Sequence, residues 1–538
     1  MTKGKKRLVA VISIVAILLG IVTCCGVALS VNDKLFQNNT PTYMSLGTSL
    51  KGKITARDDY DAYIVEIPAD GAFTVCLEHE DLDDYAKSGW VVTLYKVLSQ
   101  TGSTAHDYKE IAYFESFWAD VTSDWDKVGV SAGTYCIMVE PSAYFLEVDY
   151  TISTLFEQSD TYEREPNDTE ATATPLAVGY GKHGNTSNRQ EGTDIDWYAF
   201  DVRVDSCVNI SFTHPDGTSP TVGWVVTLQN EQGQKITQFT SRLFKDDMAI
   251  KTGKIGLKEG RYYISVEAQT DMADEYSIVL GSEKANNFEF EMNDSPETAI
   301  SLPHGVVMSG SLADRLLSLD KDYYKFTVEG EGYIDLTFSH ALQTGDKNGW
   351  NVRILKELAD GSYCEIIKRI SKWNSETMEL KNIGLPAGDY YLLVDGDSVS
   401  YNSTTYSVKW RFTAAENYER EPNSSFLNCQ TIEFRTTYSG AIMSSADMVF
   451  DEDYYRFTVN STKTVGVEFS HEIASSSDVC WNVSIIDDKG KVYAEIKSPL
   501  NQEIVLTDIV ELPAGVYFIK VETGDYGSEM PYKIRLSG

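Results

Sequence analysis

The amino-acid sequence predicts an all-β protein: four tandem β-sandwich domains, jelly-roll-like in type, that follow one N-terminal hydrophobic helix. Its 538 residues are too many for a single hydrophobic core. One set of landmarks recurs four times along the chain, which is the signature of repeated structural units. Between the landmarks, apolar and polar residues alternate with the period of two that is typical of half-buried strands.

A glycine–tryptophan motif aligns the repeats. The string Gly-Trp-Val-Val-Thr-Leu at 89–94 recurs unchanged at 223–228, and related strings begin at Gly349 and Cys480. A histidine lies ten or eleven residues before each tryptophan, and a glycine turn lies further on. The turn glycines are spaced by 127, 128 and 127 residues, which sets the length of one unit. The histidines are His79, His214, His340 and His471, and the turn glycines are Gly133, Gly260, Gly388 and Gly515.

Each unit is predicted to be a sandwich of two sheets. Segments 208–212 and 334–338 place their apolar side chains on one face, and no long amphipathic helical pattern follows Val31. Roughly seven to nine short strands in such a length fit two packed sheets. The predicted boundaries are 1–31 for a signal segment, 32–157 for a divergent unit one, 158–284 for unit two, 285–414 for unit three and 415–538 for unit four.

The N-terminus predicts export. Lys3, Lys5, Lys6 and Arg7 precede an uncharged run at 8–31, and about 20 apolar residues suffice to cross a bilayer as a helix. The run is either a retained signal anchor or a signal peptide cut after Ala28-Leu29-Ser30, and lipidation at Cys24 is a third option. Each alternative places the bulk of the chain outside the cytoplasm. The protein is then held at the cell surface through the membrane, or secreted if the segment is cleaved.

Charge excludes nucleic acid as a partner, and the histidine and cysteine content excludes two structural frameworks. The chain has 80 acidic and 46 basic residues, a formal net charge of −34 that repels phosphate backbones, so nucleic acid is excluded as a partner. Seven histidines and eight cysteines, spread over the chain, form neither a zinc ribbon nor a dense disulfide framework. Cys76 and Cys136 fall in predicted strands of unit one, and whether they pair is left open.

An acidic constellation recurs at the start of units two, three and four. A Glu-x-Glu-x-Asn segment opens each unit, and about 30 residues later an acidic pair with one residue between its members begins a strand. Residues two apart on an extended chain share a face, so four to six oxygens converge if the linker folds back across that strand. The candidates are Glu163, Glu165, Asn167, Asp168, Asp194 and Asp196, then Glu289, Glu291, Asn293, Asp294, Asp320 and Asp322, then Glu419, Glu421, Asn423, Asp451 and Asp453.

Oxygen ligands in this number predict a structural Ca²⁺ at each joint between units, since Ca²⁺ takes about six to eight of them. Zinc is not expected, because no Cys or His lies among them. The site in unit four is expected to be weaker, because Ser424 replaces the last acid. Unit one keeps Asp59 and Asp61 without the linker segment, so no full site is expected there. The alternative is that all these residues form solvated acidic turns.

The combined pattern resembles a known family. Glu-x-Glu-Pro-Asn-Asp, then Asp-x-Asp-aromatic-Tyr, then an Ala-Gly turn before Tyr-Tyr is similar to the bacterial pre-peptidase C-terminal (PPC) domain, a group related to the collagen-binding domains of clostridial collagenases. The resemblance covers 160–538 well and 36–155 loosely. It implies a β-sandwich, often secreted beside a catalytic domain, in which the linker and strand acids named above hold calcium. This sequence departs from that context because it shows no peptidase signature.

The repeated tryptophans and histidines are interpreted structurally. Trp224 shares strand parity with Val226 and Leu228, which predicts that it faces the core; an exposed platform for stacking sugars is the alternative. Each histidine is expected to cap a strand end near its tryptophan through a hydrogen bond. A Gly-x-Ser-x-Gly string occurs at 129–133, but it lies at the repeated glycine turn and not at a strand-to-helix elbow. Neither His-Glu-x-x-His nor a phosphate-binding glycine loop is present, so no enzyme is predicted.

These observations favour a binding or adhesion protein whose partner is an extracellular protein or a matrix polymer. Two alternatives stay open at this point: an array of carbohydrate-binding modules whose partner is a glycan, and a surface spacer or scaffold without a ligand of its own.

Overall fold

The computed structural model describes residues 40–98, 108–124, 127–187, 189, 193–215, 222–242, 249–269, 275–313, 320–396, 404–444 and 450–538. In these residues the strands form eight sheets, two for each unit, and the predicted fold class is confirmed. The predicted signal segment 1–31, with the question of anchor, cleavage or lipidation, lies outside the described residues. Within the described part of the chain, no helix has the length and apolar character needed to span a bilayer.

The strands of units one and two match one for one. Unit one contains β1 (Thr42–Tyr43), β2 (Ser49–Lys53), β3 (Asp61–Ile67), β4 (Gly71–His79), β5 (Ser88–Val97), β6 (Tyr108–Phe117), β7 (Thr122–Asp124), β8 (Val128–Val130), β9 (Gly133–Pro141) and β10 (Asp149–Gln158). Unit two contains β11 (Thr174–Pro175), β12 (Gly181–Asn185), β13 (Ile195–Val202), β14 (Ser206–Thr213), β15 (Val222–Asn230), β16 (Lys235–Arg242), β17 (Ala249–Lys251), β18 (Ile255–Leu257), β19 (Gly260–Ala268) and β20 (Glu275–Lys284).

Units three and four follow the same order. Unit three contains a 3₁₀ turn (Pro296–Thr298) and β21 (Ile300–Ser301), β22 (Met308–Gly310), β23 (Lys321–Val328), β24 (Gly332–His340), β25 (Asn348–Glu357), β26 (Tyr363–Lys372), β27 (Thr377–Leu385), β28 (Gly388–Gly396) and β29 (Tyr406–Ala414). Unit four contains β30 (Gln430–Thr431), β31 (Thr437–Gly440), β32 (Glu452–Val459), β33 (Lys463–His471), β34 (Val479–Asp487), β35 (Val492–Pro499), β36 (Ile504–Leu506), β37 (Val510–Leu512), β38 (Gly515–Thr523) and β39 (Tyr532–Ser537).

Each unit pairs one mixed sheet with one antiparallel sheet. In unit two the strand orders are β11-β13-β19-β15-β16 and β12-β20-β14-β17, with β18 also paired to β14. The short β11 runs parallel to β13, and the remaining pairs are antiparallel. Units one and four repeat this plan, whereas the single long β27 of unit three takes the place of the two short strands. The apolar face of both sheets forms one core for each unit.

The repeated tryptophans lie inside these cores, as predicted. Trp90, Trp224, Trp350 and Trp481 are at most 2% exposed, so they cannot serve as a platform for sugars. The histidines also lie where the sequence places them. In unit three the ring of His340 packs 4.2 Å from that of Trp350. The Nε2 atom of His340 lies 3.1 Å from Ser371 Oγ on β26, the strand beside that of Trp350.

Cys76 and Cys136 are both free thiols. Cys76 lies on β4 and Cys136 on β9, which belong to the two different sheets of unit one. Both side chains face away from the core between the sheets; Cys136 packs instead with Ala62 and Ile64 on the outer face. This placement explains why the two thiols do not pair.

Candidate metal centres at the joints

Each acidic linker is hydrogen-bonded to two units at once. In unit two, the Glu163 amide donates to His183 O of its own unit at 2.9 Å, and the Glu165 amide donates to Gly129 O of unit one at 3.3 Å. The same alternation holds at the next two joints. The Glu289 and Glu291 amides donate to Ser309 O and Gly256 O, and the Glu419 and Glu421 amides donate to Ser439 O and Gly384 O.

A glycine of the preceding unit permits this approach. A Cβ atom at Gly256 would lie 1.8 Å from Glu289 O, and one at Gly384 would lie 2.5 Å from Glu419 O. Both distances are far below van der Waals contact, so any larger residue would push the linker away. Gly129 takes this position in unit one, where a Cβ would lie 2.6 Å from Glu163 O.

Side chains alternate in direction along the extended linker, so both of its glutamates point inward. Glu163 and Glu165 are fully buried, whereas Arg164 between them points outward and pairs with Asp70 at 2.7 Å. Asp194 and Asp196, at the start of β13, are buried against them. Carboxylate oxygens lie within 4.8 Å of one another in three groups: Glu163, Glu165 and Asp196; Glu291, Asp294 and Asp320; and Glu419, Glu421 and Asp453.

A pair of tyrosines supports each cluster from the core, and its role was not predicted from the sequence. The Tyr276 hydroxyl lies 2.8 Å from that of Tyr198 and donates to Asp196 Oδ2 at 2.5 Å, while Tyr198 donates to Glu163 Oε2 at 3.2 Å. Tyr324 with Tyr406 and Tyr455 with Tyr532 repeat the arrangement. The signal was present: each first tyrosine stands two residues after the strand aspartate.

Unit one keeps the tyrosine pair without the linker acids. Tyr63 and Tyr150 have hydroxyls 2.9 Å apart, and Tyr150 donates to Asp61 Oδ2 at 2.5 Å. Asp59 instead accepts hydrogen bonds from Thr55, on the exposed side of the same turn. No glutamate occupies the place of Glu163 here, because the linker segment that carries it occurs only in units two to four.

Burial and mutual repulsion make these carboxylates costly to ionise. Burial, then the neighbouring Glu165 and Asp194, raise the pKa of Glu163 well above its usual range. In unit four, burial followed by Asp453 and Glu421 raises the pKa of Asp451 to about 10. Carboxylates held this close repel one another when they are ionised, and a bound cation would reduce that repulsion.

Several buried oxygens have no hydrogen-bond partner among the described residues. The asparagine Oδ1 and the second strand aspartate Oδ1 are in this state in all three clusters, and one linker glutamate Oε1 joins them in units two and four. Buried polar atoms are normally paired, so these recurring atoms are unusual and could serve as ligands of a bound cation. The atoms belong to Asn167, Asn293, Asn423, Asp196, Asp322, Asp453, Glu165 and Glu421.

This donor set fits Ca²⁺. All the unpaired atoms are carboxylate or amide oxygens, the ligands that Ca²⁺ prefers, and no sulfur or imidazole lies among them. When bound, the ion would supply positive charge and fix the linker against the strand; it would do no chemistry on a substrate. The residues that would hold it are the linker glutamates, the asparagine and the strand aspartates of each cluster.

Some of the predicted residues converge on one point in each cluster, and others pair with neighbouring side chains. Glu163, Glu165, Asn167 and Asp196 converge, as do Glu419, Glu421, Asn423 and Asp453, and Asp451 adds another buried oxygen without a partner. In unit three, Glu291, Asp294 and Asp320 form the close group, and Glu289 with Asp322 is held by the tyrosines. Asp168 and Asp194 pair with a basic side chain, that of Arg189, which also contacts Glu165. That the converging residues bind a metal stays a prediction.

No family model matches the chain. Among solved structures, the PPC domain of collagenase from Bacillus anthracis is 18% identical, covers 22% of this chain and 99% of its own, and has a TM-score of 0.17. A putative secreted protein from Eubacterium rectale is 12% identical, covers 46% and 81%, and scores 0.16. The tandem CBM22 domains of Paenibacillus barcinonensis Xyn10C are 10% identical, cover 40% and 82%, and score 0.15.

At these identities and TM-scores, the likenesses say nothing about activity or ligand. The sheets of the chain itself define a tandem β-sandwich protein, and the resemblance to PPC domains extends no further than that class.

Proposed function

We propose that the chain is a non-catalytic, extracytoplasmic protein whose β-sandwich units are joined through Ca²⁺ sites and bind an extracellular protein or matrix polymer. The observation that carries the metal part is the recurrence of the same unpaired buried oxygens in units two, three and four. A solvated acidic turn would not bury them: Glu163, Glu165 and Asp196 are fully inaccessible.

The repeat itself argues against catalysis. A single active site breaks the equivalence of repeated units, whereas each buried acid of unit two has a counterpart in unit three or unit four. The buried histidines and tryptophans likewise recur in all four units and pack against one another. Polar residues that recur in equivalent positions of every unit are the expected property of a scaffold.

The exported location rests on the basic residues and apolar run of the N-terminus. In such an array of sandwiches, the surfaces left for a partner are the outer sheet faces and the loops. The glycan-binding alternative must use these surfaces as well, because the repeated tryptophans are buried. Isolated exposed tyrosines such as Tyr85 and Tyr180, which are 81% and 74% exposed, are the aromatic groups available to it.

Scanning calorimetry of the full chain tests the metal part. We expect millimolar Ca²⁺ to raise the melting temperature relative to chelator, because a ligand specific to the folded state stabilises it. Identical melting curves in Ca²⁺ and in chelator would refute the Ca²⁺ sites. The same protein applied to arrays of matrix proteins and of glycans tests the binding part. Signal on glycans alone would favour the carbohydrate alternative, and no signal on either array would favour the spacer.

A further inference from the structure

Unit two places a cation of its own inside the acidic cluster. The Arg189 side chain is only 2% exposed, and its Nη2 donates to Asp194 Oδ1 at 2.5 Å and to Glu165 Oε2 at 3.2 Å. Its Nη1 pairs with Asp168 Oδ1. The fork of one guanidinium therefore ties the linker to the start of β13, which is the task that a bound metal ion would perform.

The same side chain reaches across the joint. Arg189 Nε donates to Ile111 O on β6 of unit one at 3.1 Å. Lys109 of the same strand pairs with Asp168 Oδ2 at 3.0 Å. Two basic residues thus connect unit one directly to the acids of unit two, in addition to the backbone hydrogen bond of Glu165.

Unit four keeps the acids and lacks the base. Glu421 and Asp451 stand where Glu165 and Asp194 stand in unit two, and Ser424 replaces Asp168. Among the described residues, no Lys, Arg or His pairs with the acids of this cluster, and residues 441–450 contain no basic residue at all. Arg369 of unit three does enter unit four, but it pairs with Ser444 and Glu529 instead.

The two joints differ in how many basic residues balance the charge of their buried acids. Leaving ionised carboxylates buried without a countercharge is strongly unfavourable in a protein interior. Unit two meets part of this cost with Arg189 and Lys109. Unit four has Glu419, Glu421, Asp451 and Asp453 with no described basic partner, and an oxygen of each of the last three also lacks a hydrogen bond.

We propose that Arg189 takes the place of a metal ion as the cation that closes the joint between units one and two, whereas the joint between units three and four depends on a divalent cation from the medium. The inference rests on the proposed Ca²⁺ sites and concerns which joint needs the ion. Unit two keeps oxygens that can bind Ca²⁺, but its connection to unit one does not require it.

Hydrogen exchange of the intact chain, followed by mass spectrometry, tests this difference. The Glu165 and Glu421 amides make equivalent hydrogen bonds across their joints, so peptides 160–168 and 416–424 report on the two joints in one sample. Ca²⁺ is added at 100 times the Kd of the unit-four site in place of chelator. Exchange in 416–424 should then slow by about 100-fold, whereas 160–168 should change by less than about threefold, because the Arg189 guanidinium already pairs with the unit-two acids and weakens Ca²⁺ binding there.

Three variants link the readout to the residues. Arg189→Met removes the guanidinium and keeps the apolar stem; 160–168 should then exchange faster in chelator and recover protection in Ca²⁺. The double variant E421Q/D453N should abolish the response of 416–424 to Ca²⁺. Arg189→Lys keeps the positive charge and should restore part of the protection of 160–168 in chelator. Unchanged exchange in core strands β14 and β33 would show that the variants remain folded.

The outcomes separate this inference from the proposed function. Equal responses of both joints to Ca²⁺ would overturn the inference and leave the Ca²⁺ sites standing. A response of 160–168 alone would overturn it as well. No response at either joint, together with no bound Ca²⁺ in equilibrium dialysis, would refute both.

Discussion

The hydroxyl oxygens of Tyr455 and Tyr532 lie 2.7 Å apart, and Tyr532 also donates a hydrogen bond to Asp453 Oδ2 at 2.5 Å. This contact couples the core of unit four to its acidic cluster. The other oxygen of Asp453 has no hydrogen-bond partner among the described residues. Tyr532 therefore holds one oxygen of the Asp453 carboxylate, while Tyr455 donates to Glu419 of the linker, which lies in the same acidic group.

Tyr532→Phe should destabilise unit four by about 1–3 kcal/mol, because Asp453 loses its donor while it stays buried. Hydrogen exchange of β33 and β39 in increasing urea measures the loss within the intact chain. Tyr526→Phe is the matched control, since Tyr526 is 58% exposed. Equal effects of the two substitutions would show that the hydrogen bond to Asp453 contributes nothing.

Gly384→Ala should detach the linker from unit three. Its Cβ would lie 2.5 Å from Glu419 O, so the hydrogen bond between the Glu421 amide and residue 384 cannot persist at its present length. Exchange of peptide 416–424 should speed up by tenfold or more, about 1.4 kcal/mol. Gly330→Ala in the same unit is the control, because the nearest atom to its Cβ is 4.0 Å away. Retained protection in Gly384→Ala would contradict the described joint.

Trp481→Ala should cost about 3–5 kcal/mol, since the ring is completely buried between the sheets of unit four. Leu427→Ala, at a side chain that is 95% exposed, should change stability by less than about 0.5 kcal/mol. Urea titration of the two variants, followed through exchange in β33, checks the difference. A small effect at Trp481, accompanied by loss of binding to a glycan array, would instead support the sugar platform.

Cys76 and Cys136 should both be recovered as free thiols. Alkylation in denaturant without reductant, followed by peptide mass spectrometry, should modify both completely. A disulfide-linked pair of peptides containing these two residues would mean that unit one packs differently from the structure described above.

The period of two in the sequence was sufficient to predict much of the site. It places Glu163 and Glu165 on one face, and the structure buries both beside Asp196. It also predicts the buried tryptophans correctly. The face that each side chain takes depends on the alternation along an extended segment, which local sequence determines.

Features that depend on contacts between units could not be read in the same way. Arg189 lies between β12 and β13, outside any strand, so no periodicity assigns it a face. The sequence does contain a repeat of this arginine. Arg315 precedes Asp320 by five residues, as Arg189 precedes Asp194, and unit four has no arginine at the equivalent position. Unit four was expected to be the weaker site because of Ser424. That expectation stays a prediction; the structure adds that the acids of this cluster have no basic partner among the described residues.

The hydrogen bond from the Glu421 amide to Gly384 O has a practical consequence for preparing fragments. A recombinant piece that starts at residue 415 would carry the complete repeat in sequence but would leave the Glu421 amide without its acceptor. The contacts that hold the linker therefore extend beyond the repeat, and fragments for crystallisation should begin one sandwich earlier than the domain to be studied.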